Sequence, residues 1–232
     1  VIGAGRAGGS LLGALVAAGW RSAGTLGRGD PVVDAASGVD LLVIATPDGV
    51  IADVASAVRP EPGTVVAHLA GSLGLEVLAP HPRRAALHPL VAMPSPELGA
   101  ARLRDGAWFA VAGDRLAVRV VEDLGGRWFE VADEHRALYH AAAVIASNHL
   151  VALLGQVERV AAVAGVPFEA YLDLVRATVR NVAELGPAAA LTGPAARGDR
   201  ETIGRHLAAL PADEREAYEA MVRAARRLVE DG

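Results

Sequence analysis

The chain contains no cysteine, no lysine, few aromatic residues and no unbroken apolar run of membrane-spanning length. Without cysteine there is no disulfide framework, no thiolate nucleophile and no Cys-ligated zinc or iron–sulfur site, and the redox compartment stays unmarked. All 22 basic residues are arginine. That excludes a P-loop, whose lysine reaches the β/γ-phosphates, a pyridoxal Schiff base, and the Tyr-x-x-x-Lys pair of short-chain dehydrogenases. The longest apolar candidate, residues 141–154, is interrupted by Ser147, Asn148 and His149. It falls short of the roughly 18 apolar residues that a span requires, so no membrane association is expected.

What is present is aliphatic. Hydrophobic residues make up 52% of the 232 positions but aromatics only 4%, so Ala, Val and Leu must build the core, and disorder is excluded. A net charge of -5 with scattered arginines leaves no electrostatic footprint for a phosphate backbone, and nucleic acid is not expected as a partner. No charged segment followed by an apolar one opens the chain, which makes a cytoplasmic location the expectation.

The first half alternates β-branched runs with helical or turn-rich segments, the pattern of a mainly parallel sheet covered by helices. Val1-Ile2 reads as the stub of a first strand, and 23–26 and Val32-Val33 as short strands. Residues 41–45, 63–69, 85–87, 108–112 and 127–131 read as further strands, and 7–19 as a helix. After Ala132 the strands cease and apolar residues recur every three or four positions. Helices are expected over 134–164, 168–185, 201–210 and 213–230. The fold class is therefore α/β, a Rossmann-type domain over 1–132 followed by a smaller all-α domain over 133–232.

Gly3-Ala4-Gly5-Arg6-Ala7-Gly8 matches G-x-G-x-x-G between a strand stub and a helix. Gly3 would permit the tight turn, Gly5 would let backbone approach a pyrophosphate, and Gly8 would let the helix pack on the strand. The phosphates, flanked by Arg6 and Ala7, would sit at the positive helix end. Roughly 20 residues on, where an acid would hold the ribose of NAD, stands Arg28. A guanidinium pairs with a 2′-phosphate, so NADP (NADPH) is the expected cofactor. Asp30 is the counter-argument, since a shift of two residues restores the acid. Thr46 and Pro47 end a buried strand at the edge where such sheets bind ligands, with Asp48 opening the next helix. Ser72 and His88 follow later strands and could reach the reactive end of the cofactor. On the long helix, at about 100° per residue, His140, Val144, Ser147, Val151 and Leu154 share a face, with Asn148 about 80° away from His140. No His-x-x-x-His or His-x-x-Glu pair with supporting carboxylates occurs, and no metal is expected.

Together with His88-Pro89, Ser147-Asn148-His149 and the 191–199 segment, these motifs resemble the family with a Rossmann-like NADP-binding domain followed by a helical domain of unknown function, number 2520. The group is similar to pyrroline-5-carboxylate reductase, ketopantoate reductase and the β-hydroxyacid dehydrogenases. The resemblance implies hydride transfer, with a helical domain that dimerises and closes the site. The lysine that serves as general acid in the latter two has no counterpart here. His140 could replace it, or a substrate arriving as an iminium would need no acid.

The expected function is thus an NADP-dependent oxidoreductase reducing a small carbonyl or imine between the domains, with His140, Ser72, His88 and Asn148 as catalytic candidates. The alternatives are a non-catalytic dinucleotide-binding sensor or scaffold and, less compatible with Arg28, a methyltransferase. The apolar circumference of the 134–164 helix leads to the expectation of a homodimer through the helical domain.

Overall fold

The computed structural model describes residues 1–230. Their contacts divide the chain into two compact units, Val1–Ser147 and a second from Asn148 onward. The division falls later than the change of texture at Ala132, because the residues just after it fold against the sheet, as shown below.

In the first unit, α1 (Arg6–Ala17) follows the glycine turn, and β1 (Leu41–Ile44) leads through a 3-10 turn at Asp48–Val50 into α2 (Ile51–Ala57). Then come β2 (Val65–His68), β3 (Arg84–Pro89), α3 (Pro96–Leu103), β4 (Trp108–Gly113), α4 (Leu116–Asp123), β5 (Arg127–Glu130) and α5 (Arg136–Val144). Among the described residues, the five strands form one sheet in the order β1-β2-β3-β4-β5, parallel except between β3 and β4. Ile2 bridges both Leu26 and Ile44 in parallel, so the chain's first turn lies between the second and third passes through the sheet. That reversal of direction is the topological switch point at which open α/β sheets bind ligands. Val32-Val33 is not a strand: the residues around it form successive turns after Pro31, too short to pair.

Alternation along the strands divides the core. Val43, Val65, Ala67 and Leu87 face Leu11, Leu15, Leu103, Val120 and Val121 of α1, α3 and α4. Leu42, Ile44 and Val66 face Ile51, Ala55, Val58 and Leu78 on the other side. Burying both faces explains the unbroken apolar runs. Helix α3, not expected from the sequence, begins with a Ser95 cap accepting from Leu98 N at 3.3 Å and with proline in its first turn. It lies on α1 through small residues, with Gly9 against Pro96 and Gly13 against Ala100.

From α5 the helical run continues through a π-helical segment, Ile145–His149, into α6 (Leu150–Val163). The second unit holds α6, α7 (Glu169–Leu185), α8 (Pro187–Ala190), α9 (Arg200–Ala209) and α10 (Arg215–Glu230). Among its described residues, those that are buried are Ala161, Ile203 and Glu214, the last paired with Arg159. The π segment adds residues per turn and breaks the α-helical register. The alignment of His140 with Ser147, Val151 and Leu154, and the angle to Asn148, assumed an unbroken helix and do not carry across it.

Candidate functional site

At the glycine turn, two glycines are required by the protein's own packing and the third faces open space. Gly3 has φ +88°, and a Cβ there would stand 2.8 Å from the Ala45 carbonyl oxygen. A Cβ on Gly8 would overlap the Gly3 carbonyl oxygen and lie 2.8 Å from the Ala45 Cβ, so only glycine lets α1 approach β1. Around Gly5 a Cβ would meet nothing within 4 Å. Gly5 is the N-cap of α1 and has no side chain to cap the first turn, which leaves backbone N–H groups facing that open space. Across the turn, Thr46 Oγ1 is buried with no hydrogen-bond partner. An orphaned donor, free N–H groups and open space at the switch point fit the phosphates of a dinucleotide.

The loop after residue 26 distinguishes its two charged residues. Asp30 Oδ2 accepts from Gly27 N at 2.7 Å, which turns its carboxylate back onto the loop. Arg28 and Arg6 are exposed, and Ala7 and Pro47 flank the turn. The broad groove lined by Val1, Trp20, Gly24, Asp34 and Leu41 is at the opposite, amino end of these strands.

The second cluster stands at the carboxyl ends of β2 and β3. His68 pairs in register with Ile44 and Ala86, which brings the 69–74 loop level with His88. Buried His68 accepts from Ala70 N at 3.2 Å through Nδ1, and its Nε2 donates to the Gly74 carbonyl at 3.2 Å. This fixes one neutral tautomer and the path of the loop; burial lowers the His68 pKa. Ser72 Oγ, 3.5 Å from Asp48 Oδ2, ties the loop to the turn after β1.

From the other side, α5 contributes Arg136, Tyr139 and His140, which share a face at i, i+3 and i+4. Arg136 is fully buried; its Nε donates to the Leu73 carbonyl at 2.7 Å, and both terminal nitrogens are without partners. Tyr139 Oη and His88 Nδ1 are 2.6 Å apart, and the His88 ring stands edge to face with Tyr139 and with His140, at centroid distances of 5.5 and 5.4 Å. A Cβ on Gly71 would overlap His140 Nδ1 and stand 2.9 Å from His88 Nε2, so the two imidazoles converge over a residue that must lack a side chain. Burial, then the positive fields of His140, Arg136 and His68, bring His88 down to about 4. Burial raises Tyr139 to about 12 against the pull of Arg136. At neutral pH both partners are uncharged.

Of the expected catalytic residues, the structure therefore brings His88 and His140 together and places Ser72 on the adjoining loop. Asn148 opens the second unit and is exposed. Tyr139, Arg136 and Gly71 are not among the residues that the sequence singles out, although Tyr139 immediately precedes the candidate His140. Among the described residues no group of three or more His, Asp or Glu side chains is placed to hold a metal.

The fold recurs in solved structures over nearly all of this chain. A candidate NADP oxidoreductase from Bacteroides fragilis is 23% identical, with 97% of this chain and 96% of that one covered and a TM-score of 0.77. A reductive aminase from Aspergillus terreus, solved with NADPH4, cyclohexanone and allyl amine, is 16% identical over 97% and 92%, TM-score 0.69. A pyrroline carboxylate reductase from Plasmodium falciparum with NADP bound is 13% identical over 98% and 96%, TM-score 0.62. At such identities the likeness is one of fold. No curated protein sequence matches the chain. The Rossmann-like domain model matches residues 27–94. The model of the domain of unknown function DUF2520 matches residues 109–225, just over half of the chain, and the protein belongs to that family.

Proposed function

We propose that the protein is an NADP-dependent oxidoreductase that reduces a small carbonyl or imine. The carrying observation is the uncapped start of α1, open before Gly5 and faced by the orphaned Thr46 hydroxyl, with His88 at the end of β3 meeting Tyr139 and His140 of α5. Gly3, Gly5, Gly8, Arg6 and Ala7 would hold the pyrophosphate, and Thr46 and Pro47 would line the dinucleotide. Arg28 would take the 2′-phosphate, since Asp30 is already engaged by Gly27 N. The bound cofactor would supply the hydride. The protein's own part is to place the substrate against the His88–Tyr139–His140 group, to hold the 71–74 loop through His68 and Arg136, and to deliver one proton. Ser72, bonded to Asp48, would orient a polar substrate group. The folds of the reductive aminase and of the pyrroline carboxylate reductase, both crystallised with NADP-type cofactors, support this reading.

A homodimer through the helical region completes the proposal. A unit of this size that, among its described residues, buries only Ala161 and Ile203 of its apolar side chains cannot be stabilised by its own core. Leu150, Val151, Leu153, Val163, Leu174 and Leu185 are exposed. The run Asp133–Val163 is long and apolar enough, by length and composition alone, to cross a membrane. Lipid would place Ser147, Asn148 and His149 near the bilayer centre at a cost of several kcal/mol, whereas a second copy can offer them partners, which favours protein as the covering surface.

Calorimetric titration with NADPH, NADH and S-adenosylmethionine tests the cofactor. The reading requires NADPH to bind tightest and to be oxidised in the presence of a small ketone, aldehyde, 2-oxo acid or cyclic imine. Binding of neither nicotinamide nucleotide to folded protein would end it, and binding without turnover across that panel would leave a dinucleotide sensor.

A further inference from the structure

Resting on the oxidoreductase reading, we propose that Tyr139 is the proton donor to the reduced substrate and that His88 is the positioning residue that holds its hydroxyl and restores its proton. The sequence alone leaves the proton either to His140 or to an iminium substrate that needs no acid. In the structure His140 Nδ1 is buried over Gly71 with no partner, whereas the Tyr139 hydroxyl already lies in a 2.6 Å hydrogen bond with His88 Nδ1. The Tyr139 ring is held between His88 and Phe129, whose centroid is 5.7 Å away at an interplanar angle of 72°. The hydroxyl therefore has one fixed partner, and its second hydrogen-bonding direction is left for a ligand.

Burial keeps the donor loaded. The Tyr139 hydroxyl stays protonated across the physiological range, and His88 stays uncharged. A hydroxyl with a pKa near 12 cannot protonate a neutral ketone. It can protonate the oxygen of one that is gaining a hydride, because that oxygen becomes far more basic as its π pair moves onto it. As the nicotinamide gives its hydride to carbon, the Tyr139 O–H bond breaks and the new substrate O–H bond forms. His88 then gives its Nδ1 proton to the tyrosine oxygen as a proton from water reaches its Nε2, and exchange of the ring protons with water restores the Nδ1–H tautomer before the next turnover. One reduced nicotinamide, one proton and one carbonyl are consumed, and one oxidised nicotinamide and one alcohol result. Arg136, whose Nε lies 3.9 Å from Asp133 Oδ1 and whose buried terminal nitrogens are unpaired, stabilises negative charge developing on the tyrosine and disfavours a cationic substrate. The site therefore suits a neutral carbonyl better than a preformed iminium.

The test uses the intact protein with NADPH and a panel of small ketones, aldehydes, 2-oxo acids and cyclic imines at pH 7. Tyr139→Phe keeps the ring and its packing, and kcat on the best substrate is expected to fall by about 10²–10⁴ with the Kd for NADPH unchanged. His88→Ala should lose activity and regain part of it when imidazole is added, which a purely structural role would not produce. In the free protein, the ¹⁵N signal of His88 Nδ1 should move on Tyr139→Phe substitution as its hydrogen bond is lost. Wild-type turnover with Tyr139→Phe within threefold of it would overturn the proposal alone, and so would a cyclic imine outpacing every carbonyl. Absence of imidazole rescue in folded His88→Ala protein would overturn the role of His88. A wild type that oxidises NADPH with no member of the panel would overturn the oxidoreductase reading and the proton donor with it.

Discussion

Gly5→Ala separates the two tasks of the glycine turn. At Gly3 and Gly8 the side chain is forbidden by the protein itself: φ is +88° at Gly3, and the Ala45 and Gly3 backbones stand where a Cβ would go. Alanine at either position should damage folding as well as binding, and proves nothing about a ligand. Gly5 has φ -69°, which alanine adopts freely, and a Cβ there meets nothing within 4 Å. Its effect on stability is a near balance. Alanine is a poorer N-cap than glycine by less than about 1 kcal/mol, and reduced freedom of the unfolded chain returns about 0.4–1 kcal/mol. For a chain of this length that predicts a Tm within about 3 °C of wild type. Binding should respond otherwise, because the pyrophosphate must come into van der Waals contact with the Gly5 backbone. One methyl group placed there costs about 1–3 kcal/mol as overpacking, or about 5- to 150-fold in Kd for NADPH. Calorimetric titration and a thermal scan on the same preparation measure both. An unchanged Kd at unchanged Tm would refute the reasoning, because it would mean that nothing approaches Gly5 and that the motif is a strand-to-helix connection.

Arg28→Ala should weaken NADPH by about 1.5–3 kcal/mol, the worth of a hydrogen bond to a charged group, while leaving NADH unaffected; equal loss for both would remove Arg28 from the 2′-phosphate. Stability should fall with acid below about pH 6.5, where unfolded histidine takes up protons that buried His68 and His88 refuse. Each group contributes a slope of at most about 1.4 kcal/mol per pH unit, and for His88 the loss levels off near pH 4. Urea titrations of wild type and His88→Gln should show a shallower slope in the variant, and identical slopes would contradict the burial of His88. Val151→Glu, at a position 69% exposed in one chain, should lower the mass by light scattering or unfold the helical unit; a wild-type monomer at micromolar concentration would refute the dimer outright.

The parts of this fold that were legible in the sequence are those whose cause is local. Runs such as 41–45 and 63–69 read as strands because both faces are buried, and Gly165-Val166-Pro167 stops a helix by its own backbone chemistry. Helix α3 was missed because its contact with α1 is made by Gly9, Gly13 and Gly99, small residues that leave no apolar period. The π segment was invisible for a related reason: one extra residue in a turn changes which side chains share a face without changing composition. Val32-Val33 failed as a strand because two β-branched residues between Pro31 and Asp34 satisfy propensity but not pairing.

The candidate site shows the same boundary more sharply. Strand-end reasoning led to Ser72 and His88, and the structure confirms that these strand ends lie side by side. Yet the residue that makes room for chemistry is the neighbour of Ser72, Gly71, whose missing side chain admits His140 and His88. The best-placed hydroxyl belongs to Tyr139, and its partner is 51 positions away. A glycine needed for an approach across the fold looks in sequence like any other glycine after a strand. A tyrosine whose value depends on a distant imidazole looks like a core residue of a helix. The phosphate end of such a site can be read from spacing because strand, turn and helix are consecutive. The proton-transfer end is made where β3 meets α5, and it becomes legible only once register and helix phase have brought those two elements together.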